Sequence, residues 1–472
     1  MMLFWTKEHF IFCIRDKING MLNRLSEKFK IRFLLAVAGL GGLLYGVDFG
    51  VIAAAEPYLM SLGLYSGGRV SLIVGAVMMG GLVSSFTAGI LCDFFGRKKM
   101  IVACSAMFLL AVPVVCLSID LFWVLFAGRM LQGMSAGYMA VVMPMYLTET
   151  LPPEIRGRGT GVFQFFLGLG LVVAAAAGCL IAVKYGAADA KGLAAEGMKA
   201  AWSANFWWTM FPVALLFIGS IFLKESPVWL ERRTTKHADG EISPVSLNKS
   251  EGGILQRRYL IPVLLAILVL TFNKTTGMSS FTSYLVSILQ QSGFEGMFAN
   301  YGQFIVKLTN MTVTIFAAAV IDRVGRTKLL KIGTGGMTIG LACIGSVFLA
   351  IERFGVEANN FTGLLTLISF FAMQIFYALG PGICVWLVLS ELMPARVRAN
   401  GMGVALFMNQ LVACALASTF RPWVEAWGWS SMFYFFAANG VLYFVVSFFI
   451  PETKGKSLEE LEHLFERKKS GS

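Results

Sequence analysis

Apolar stretches long enough to cross a lipid bilayer follow one another along this chain, separated by polar segments. A membrane-spanning helix needs about 20 predominantly apolar residues, and about twelve stretches reach that length. The first six are 32–56, 70–92, 100–118, 121–146, 160–183 and 204–223, and the second six are 259–287, 299–321, 329–350, 361–388, 401–419 and 431–450. The pattern therefore predicts an all-α membrane protein with twelve transmembrane helices.

The longest polar stretch, 224–258, separates the two groups of predicted helices. Its Glu, Arg, Ser and Gly content is typical of a partly helical linker. The segment 185–202, which contains Ala, Glu and Lys, is predicted to form an external helix. The predicted organisation is a cytoplasmic amphipathic lead at 1–31, an N-terminal six-helix half at 32–223, the linker at 224–258, a C-terminal six-helix half at 259–450 and a cytoplasmic tail at 451–472.

The composition excludes a soluble protein. With 57% hydrophobic and 14% charged residues, too little polar surface remains to cover a fold in water. The net charge of +12 would favour nucleic acid as a partner of a soluble chain, but here most Lys and Arg residues lie in the lead, linker, tail and alternate loops. The positive-inside rule therefore predicts a multi-pass membrane protein with both termini cytoplasmic, and no bound nucleic acid is expected. The expected location is a bacterial inner membrane.

Three loop motifs of the first half recur in the second half. Each copy follows the equivalent predicted helix of its own half. The pairs are Asp93-Phe-Phe-Gly-Arg97 with Asp322-Arg-Val-Gly-Arg326, Glu149-x-x-Pro-x-x-x-Arg156 with Glu391-x-x-Pro-x-x-x-Arg398, and Glu225-Ser-Pro with Pro-Glu452-Thr. Repetition in register predicts a duplicated transporter architecture.

The charges of these loops lie at helix ends, where oppositely charged side chains that meet only in the closed state would act as a cytoplasmic gate. The predicted gate consists of Asp93, Arg97, Glu149, Arg156 and Glu225 in the first half and of Asp322, Arg326, Glu391, Arg398 and Glu452 in the second. The alternative is that these charges only anchor the helix ends among lipid headgroups.

The motifs resemble those of a known transporter family. A long signature runs from Gly128-Arg129-x-Leu-x-Gly133-x-x-x-Gly137 to Pro144-x-Tyr146-x-x-Glu149-x-x-Pro152-x-x-x-Arg156. GGLLYGVDFGVI at 41–52 and PETKGKSLEELE at 451–462 match as well. From 32 to 463 the chain resembles the sugar porter family of the major facilitator superfamily. The resemblance implies that superfamily's fold, two pseudo-symmetric six-helix halves that alternate access to a central site.

Two ionisable residues lie within the predicted spans as candidates for proton coupling. A charge at bilayer depth is costly unless it is paired or hydrated. Asp48 is near the middle of the first span and Arg129 near the start of the fourth, while Glu56 lies near the outer end of the first. Proton-coupled members of the family have Asp and Arg at the positions of Asp48 and Arg129, so the resemblance implies coupling through this pair. The alternative is a permanent ion pair in a facilitative carrier.

The resemblance also implies a sugar site. Amide side chains that donate and accept, together with an aromatic face, suit the hydroxyls and ring of a sugar. Gln164, Asn310, Trp386 and Asn409 occupy positions of polar or aromatic sugar contacts in the family. Each of them could otherwise serve as a packing contact between helices.

The seventh span departs from the family. Asn273, Lys274 and Ser279 stand in the segment where the family has paired glutamines, Gly and Asn, followed by two tyrosines. We include these three residues in the predicted substrate site. The hexose clamp is incomplete, so typical glucose recognition is not expected.

Lys274 and Lys307 place two positive charges in the predicted site, because Lys307 lies one turn from Asn310 on the next helix. One account is an anionic solute, such as a sugar acid or a hydroxycarboxylate. A second is pairing of a lysine with Glu56. A third is a lysine that reaches outward to the headgroups, which suits Lys307 better than Lys274. The residues leave all three open.

These features predict a secondary active transporter, most simply a proton symporter of a sugar, polyol or related hydroxylated solute. The alternatives are a proton-linked organic-anion carrier and a facilitative sugar uniporter. No catalytic constellation, metal-ligand spacing or nucleotide-binding loop is recognisable in the sequence. We therefore expect no enzyme, no metal and no cofactor apart from the proton as coupling ion. The expected assembly is a monomer in the lipid bilayer with a small-molecule substrate.

Overall fold

The described part of the protein is almost entirely helical. The computed structural model describes residues 27–152, 155–190, 192–238, 257–385, 398–450 and 452. The helices of the N-terminal half are α1 Glu27–Ser61, α2 Gly67–Phe95, α3 Arg97–Leu117, α4 Phe122–Thr150, α5 Arg156–Tyr185, α6 Ala195–Trp207 and α7 Met210–Ile221, followed by α8 Pro227–Ala238. Those of the C-terminal half are α9 Arg257–Thr275, α10 Met278–Gln291, α11 Gly296–Val324, α12 Arg326–Phe354, α13 Asn360–Leu379 and α14 Arg398–Ser447.

These helices form twelve membrane-crossing elements in the described part of the chain. Ten apolar spans there are long enough to cross a bilayer. One of them, Val404–Ser447, consists of two helices joined at Gly428, whose φ of 82° and ψ of 166° interrupt the helix. Counting these two separately and adding α4, which has 29 residues, gives twelve crossing elements. The all-α, twelve-helix architecture predicted from the sequence is confirmed.

The seventh crossing element is broken in its middle, between α9 and α10. Gly277 occupies the left-handed region with φ of 82°, a conformation that a side chain rarely allows. Its N–H donates to the carbonyl of Lys274 at 2.9 Å. Broken helices present polar groups at membrane depth in transporters. The break therefore places Lys274 at the end of one half-helix and Ser279 at the start of the next.

The prediction of a separate external helix at 185–202 is wrong, as the position of α6 shows. It begins at Ala195 and is continued by α7 as a single crossing element. Trp202 is fully buried, and its Nε1 donates to the carbonyl of Val115 at 3.3 Å. Burial of large aromatic side chains dominates local packing. Trp202 and Phe206 therefore pack α6 against the bundle, so α6 is not a separate external helix.

Glycines bring neighbouring helices of the N-terminal half into close contact. A Cβ atom added to Gly46 on α1 would lie 2.0 Å from the carbonyl oxygen of Leu167 on α5. One added to Gly133 on α4 would lie 2.1 Å from the carbonyl oxygen of Val77 on α2. Small residues allow this approach, which supplies much of the packing energy between helices in lipid.

We expect Gly133→Ala to destabilise the protein by about 1–3 kcal/mol, the usual cost of overpacking a close contact. The added methyl group meets the backbone of α2, which cannot rotate away as a side chain can. Gly89→Ala is the matched control, because Gly89 lies in α2 with no atom within 4 Å of an added Cβ. Thermal unfolding in detergent should give a lower Tm for Gly133→Ala than for Gly89→Ala, and equal Tm values would contradict this packing.

Candidate functional site

A cavity of about 380 Å³ lies between the two halves. The N-terminal half contributes α1, α4 and α5 to its wall, and the C-terminal half contributes α9, α10, α11 and α13. The polar and aromatic lining residues are Tyr45, Phe49, Phe163, Gln164, Lys274, Ser279, Thr282, Lys307, Asn310, Thr314 and Tyr377. This volume and this mixture of apolar, aromatic and polar groups are typical of a small-molecule site.

Four of the predicted substrate contacts line this cavity. They are Gln164, Lys274, Ser279 and Asn310. The Asn310 amide is held in place, because its Oδ1 accepts a hydrogen bond from Nε2 of the buried Gln374 at 2.7 Å. The C-terminal half thus orients one amide of the wall, while Gln164 supplies another from the N-terminal half.

The other three predicted contacts are not part of the described lining. Asn273 and Asn409 are buried elsewhere. Asn409 on α14 donates from Nδ2 to the carbonyl of Leu270 on α9 at 3.0 Å. This bond is the helix-packing contact that the sequence left as an alternative. Trp386 lies outside the described residues.

Several lining residues were missed by sequence reasoning. Tyr45 and Phe49 are one turn apart on α1, and their ring centroids lie 4.8 Å from each other. Both belong to a continuous apolar stretch, which gives no signal of which helix face lines a cavity. Thr282 could have been found, because it is one turn beyond Ser279 on the same face of α10.

Two lysine side chains are anchored on hydroxyl groups of the cavity wall. Lys274 Nζ donates to Ser279 Oγ at 3.2 Å, and Lys307 Nζ donates to Thr282 Oγ1 at 3.2 Å. Ser279 and Thr282 share one face of α10. Both ammonium groups are therefore held beside the same turn of α10. No Asp or Glu is among the lining residues in the described part of the chain.

Two of the three explanations of the lysines that the sequence allowed are not supported by any contact in the described structure. Among the described residues, Glu56 is engaged by Arg421 and Ser287 and not by a lysine. Lys307 does not reach outward to headgroups, because it is 3% exposed and its amine is bonded to Thr282.

Asp48 and Arg129 meet inside the N-terminal half. Each is 1% exposed, and Arg129 Nη1 lies 3.5 Å from Asp48 Oδ1. The same Nη1 donates to Gln132 Oε1 at the shorter distance of 2.7 Å. The guanidinium also lies 5.2 Å from the centre of the Phe206 ring, a favourable cation–π distance. Arg129 therefore has partners other than Asp48.

We call the face of the bundle at which α1 begins the basic face, and the opposite face the far face. At the basic face Arg97 is 2% exposed between two carboxylates, 3.1 Å from Asp93 and 2.9 Å from Glu149. Glu225 accepts from the backbone N–H groups of Arg97 and Lys98 at 2.8 and 3.0 Å. A carboxylate at a helix start satisfies free N–H groups and complements the helix dipole. Glu225 thus caps α3 beside the buried Arg97.

The C-terminal half repeats this cap. Glu452 accepts from the backbone N–H groups of Arg326 at 3.0 Å and Thr327 at 3.1 Å, at the start of α12. Glu225 and Glu452 therefore serve equivalent helix starts, and the duplication read from the loop motifs is present in the geometry.

The remaining predicted gate residues are described only in part. Arg156 is exposed, and its Nε donates to the carbonyl of Leu151 at 3.0 Å. Glu391 and the side chains of Asp322 and Arg398 lie outside the described part of the chain. That these charges act as a cytoplasmic gate stays a prediction.

An ion pair that the sequence did not predict joins the two halves near the far face. Glu56 on α1 is fully buried, and its Oε1 accepts from Nε of Arg421 on α14 at 3.1 Å. Ser287 on α10 donates to the second oxygen of Glu56. The Arg421 guanidinium also lies 5.7 Å from the centre of the Tyr284 ring. This pair has to break if the halves separate at the far face.

Neighbouring polar contacts close the same region. The Tyr284 hydroxyl donates to Ser71 Oγ at 3.1 Å, and Ser71 Oγ also accepts from the Arg421 backbone N–H at 3.0 Å. Asp189 accepts from the Gly296 N–H at the start of α11 at 2.8 Å. The halves are therefore bound to each other between the cavity and the far face.

Two duplicated six-helix halves with a polar cavity at their boundary define a membrane carrier. The sequence model of the family described as "Sugar (and other) transporter" matches residues 34–465. The chain belongs to this family of transporters, and it is not an enzyme. The resemblance inferred from the motifs is confirmed.

Similar proteins cover nearly the whole chain. The Bacillus subtilis (strain 168) protein named "Putative metabolite transport protein YwtG" is 31% identical over 91% of this chain and 94% of its own. The arabinose-proton symporter of the same organism is 29% identical over 91% of this chain and 93% of its own. The inward-open structure of the xylose transporter XylE from E. coli has a TM-score of 0.74 at 23% identity and covers 92% of this chain and 99% of that chain. The structural likeness shows a shared fold.

We expect Glu56→Gln to separate the halves at the far face, because an amide cannot hold the buried guanidinium as a carboxylate does. Nitroxide labels at Leu64→Cys and Phe354→Cys, both exposed at that face, report the separation by double electron–electron resonance in a cysteine-free background. The longer-distance population should grow in Glu56→Gln.

The matched control for this measurement is Asp120→Asn. It breaks an exposed far-face ion pair with Lys199 that lies within the N-terminal half, so it should leave the distance distribution unchanged. An unchanged distribution in Glu56→Gln as well would show that the buried pair does not hold the halves together.

Proposed function

We propose that this transporter carries a monosaccharide-sized hydroxylated solute together with a proton, by alternating access to the cavity between its halves. The observation that carries the proposal is the buried contact of Asp48 with Arg129, on α1 and α4, next to a cavity to which α1 also contributes. Similarity to an arabinose-proton symporter supports it. The proton is the coupling ion, and no other cofactor takes part.

Asp48 is the proton carrier in this proposal. Arg129 keeps its charge at accessible pH and favours the ionised carboxylate. Protonation of Asp48 removes the attraction across 3.5 Å, while Gln132 and Phe206 continue to hold the guanidinium. The proton therefore removes one ionic contact between α1 and α4 without leaving Arg129 unpartnered.

Helix α1 links proton binding to the rest of the cycle. It carries Asp48, the cavity residues Tyr45 and Phe49, and Glu56 of the far-face ion pair. A displacement of α1 relative to α4 therefore acts on the cavity wall and on the contact between the halves. Differential binding of proton and solute to the two conformations drives the alternation.

The solute is bound through hydroxyl groups. Gln164 and Asn310 offer amides that both donate and accept, one from each half. Tyr45 and Tyr377 offer aromatic faces for a ring or carbon chain. Contacts from both halves to one solute favour closure of the cavity around it.

We place the basic face in the cytoplasm of a bacterium and the protein in its plasma membrane. The excess of Lys and Arg in the loops of that face supports this orientation, and similarity to Bacillus subtilis transporters supports a bacterial plasma membrane. The cavity and both buried ion pairs form within one chain, so a monomer in the lipid bilayer is the functional unit.

Transport in proteoliposomes tests this proposal with Asp48→Asn. A panel of labelled monosaccharides, polyols and sugar acids is offered first with an inward proton gradient and then for exchange at equal pH. Wild type should accumulate a member of the panel in response to the gradient. Asp48→Asn should lose accumulation and retain exchange, because exchange requires binding but no proton movement.

Asp120→Asn, which removes an exposed far-face carboxylate, is the control and should behave as wild type. Accumulation by Asp48→Asn equal to that of wild type would remove Asp48 from coupling. Wild type that only equilibrates its solute would be a facilitative uniporter.

A further inference from the structure

We propose that the transported solute carries a carboxylate: it is a sugar acid of monosaccharide size, an aldonate or uronate, held by the ammonium groups of Lys274 and Lys307. This inference rests on the transport function proposed above and names the substrate class of the same cavity.

The cavity wall has an unbalanced positive charge. Lys274 and Lys307 line it, and its described lining contains no carboxylate. The two carboxylates buried on α1 are already engaged by arginines, Asp48 by Arg129 and Glu56 by Arg421. Buried charge is costly without a counter-ion. An anionic solute supplies the counter-charge that the described chain does not.

The hydroxyl anchors position the lysines without neutralising them. Within the described residues each ammonium makes one hydrogen bond, to Ser279 or to Thr282. An ammonium has three N–H donors, so each lysine keeps donors for a ligand. Because Ser279 and Thr282 lie one turn apart, the two ammonium groups flank a single turn of α10 and can bind the two oxygens of one carboxylate.

The start of α10 reinforces the site. This 14-residue helix begins at Met278, directly after the break at Gly277, and Met278 and Ser279 line the cavity. The positive end of the helix dipole and its free N–H groups favour an anion. Half-helices in transporters direct their N-termini at anionic substrate groups in this way. The broken seventh element and the two lysines therefore point to the same ligand chemistry.

The rest of the cavity defines what carries the carboxylate. Gln164 and Asn310 suit hydroxyl groups, and Tyr45 and Phe49 suit a ring or carbon chain. A small carboxylate without hydroxyls would leave the amides without a partner. A neutral sugar would offset neither of the two lysine charges, whereas the one carboxylate of a sugar acid offsets one of them and can be shared by both. Phosphate recognition favours the bidentate guanidinium groups of arginine. The described lining contains no arginine, so a phosphate ester is not the expected solute.

Binding and exchange measured with labelled D-gluconate test the inference. Wild type should bind and exchange D-gluconate, and unlabelled D-galacturonate should compete better than D-glucose or glucose 6-phosphate. Lys274→Gln and Lys307→Gln should each weaken D-gluconate binding by about 10–100-fold, the loss expected for a charged hydrogen bond. Lys184→Gln, which changes an exposed lysine of α5, is the matched control and should bind as wild type.

The Tm of the ligand-free protein shows whether weaker binding by a variant comes from the lost lysine contact or from a destabilised fold. Removing an uncompensated buried charge should leave the Tm of Lys274→Gln equal to or above that of wild type. D-gluconate should raise the Tm of wild type and Lys184→Gln but not of Lys274→Gln. A lower ligand-free Tm in both lysine variants would mean that the chain itself balances these charges, which contradicts the inference.

Failure of the inference differs from failure of the proposed function. Proton-driven accumulation of a neutral monosaccharide without exchange of D-gluconate would overturn the sugar-acid assignment and leave proton symport standing. Stronger competition by glucose 6-phosphate than by D-galacturonate would replace the carboxylate by a phosphate. Exchange of D-gluconate by Asp48→Asn without accumulation would support both proposals, since binding and coupling use different residues.

Discussion

A charge buried at membrane depth needs a counter-charge. The ion pairs that supply it determine which parts of this carrier are bound to each other. Asp48 and Arg129 neutralise each other within the N-terminal half, whereas Glu56 and Arg421 do so across the boundary between the halves. The first pair therefore lies where a proton acts within one half, and the second has to break when the halves separate at the far face. The lysines of the cavity are the exception, because their only described partners are neutral hydroxyls.

Helix α1 connects these charges. One side of it packs closely on α5 through Gly46, so α1 and α5 form one part of the cavity wall. The same helix carries Asp48 and Glu56, and a change of charge at Asp48 is therefore transmitted along a rigid element to the far-face contact. If the solute is a monocarboxylate and one proton moves with it, the two charges cancel. The cycle then carries no net charge across the membrane.

The sequence predicted what depends on local pattern and missed what depends on helix rotation and distant pairing. Apolar length predicted the twelve crossing elements, and the repeated loops predicted equivalent positions for Glu225 and Glu452. Their role as helix caps became visible only in the structure. A uniformly apolar stretch carries no signal for the face that lines a cavity, so Tyr45 was missed. Glu56 and Arg421 are far apart in the sequence, and only the fold brings them together. Asn409 fulfils a packing need that sequence cannot distinguish from binding.

The dependence of D-gluconate uptake on membrane potential tests the charge balance most directly. Proteoliposomes are given a fixed inward proton gradient, and a potassium diffusion potential set with valinomycin is varied independently. We predict uptake that follows the proton gradient and does not change with the potential, because one proton compensates one carboxylate. Uptake that increases with an inside-negative potential, or that proceeds equally well without a proton gradient, would contradict electroneutral symport of a sugar acid.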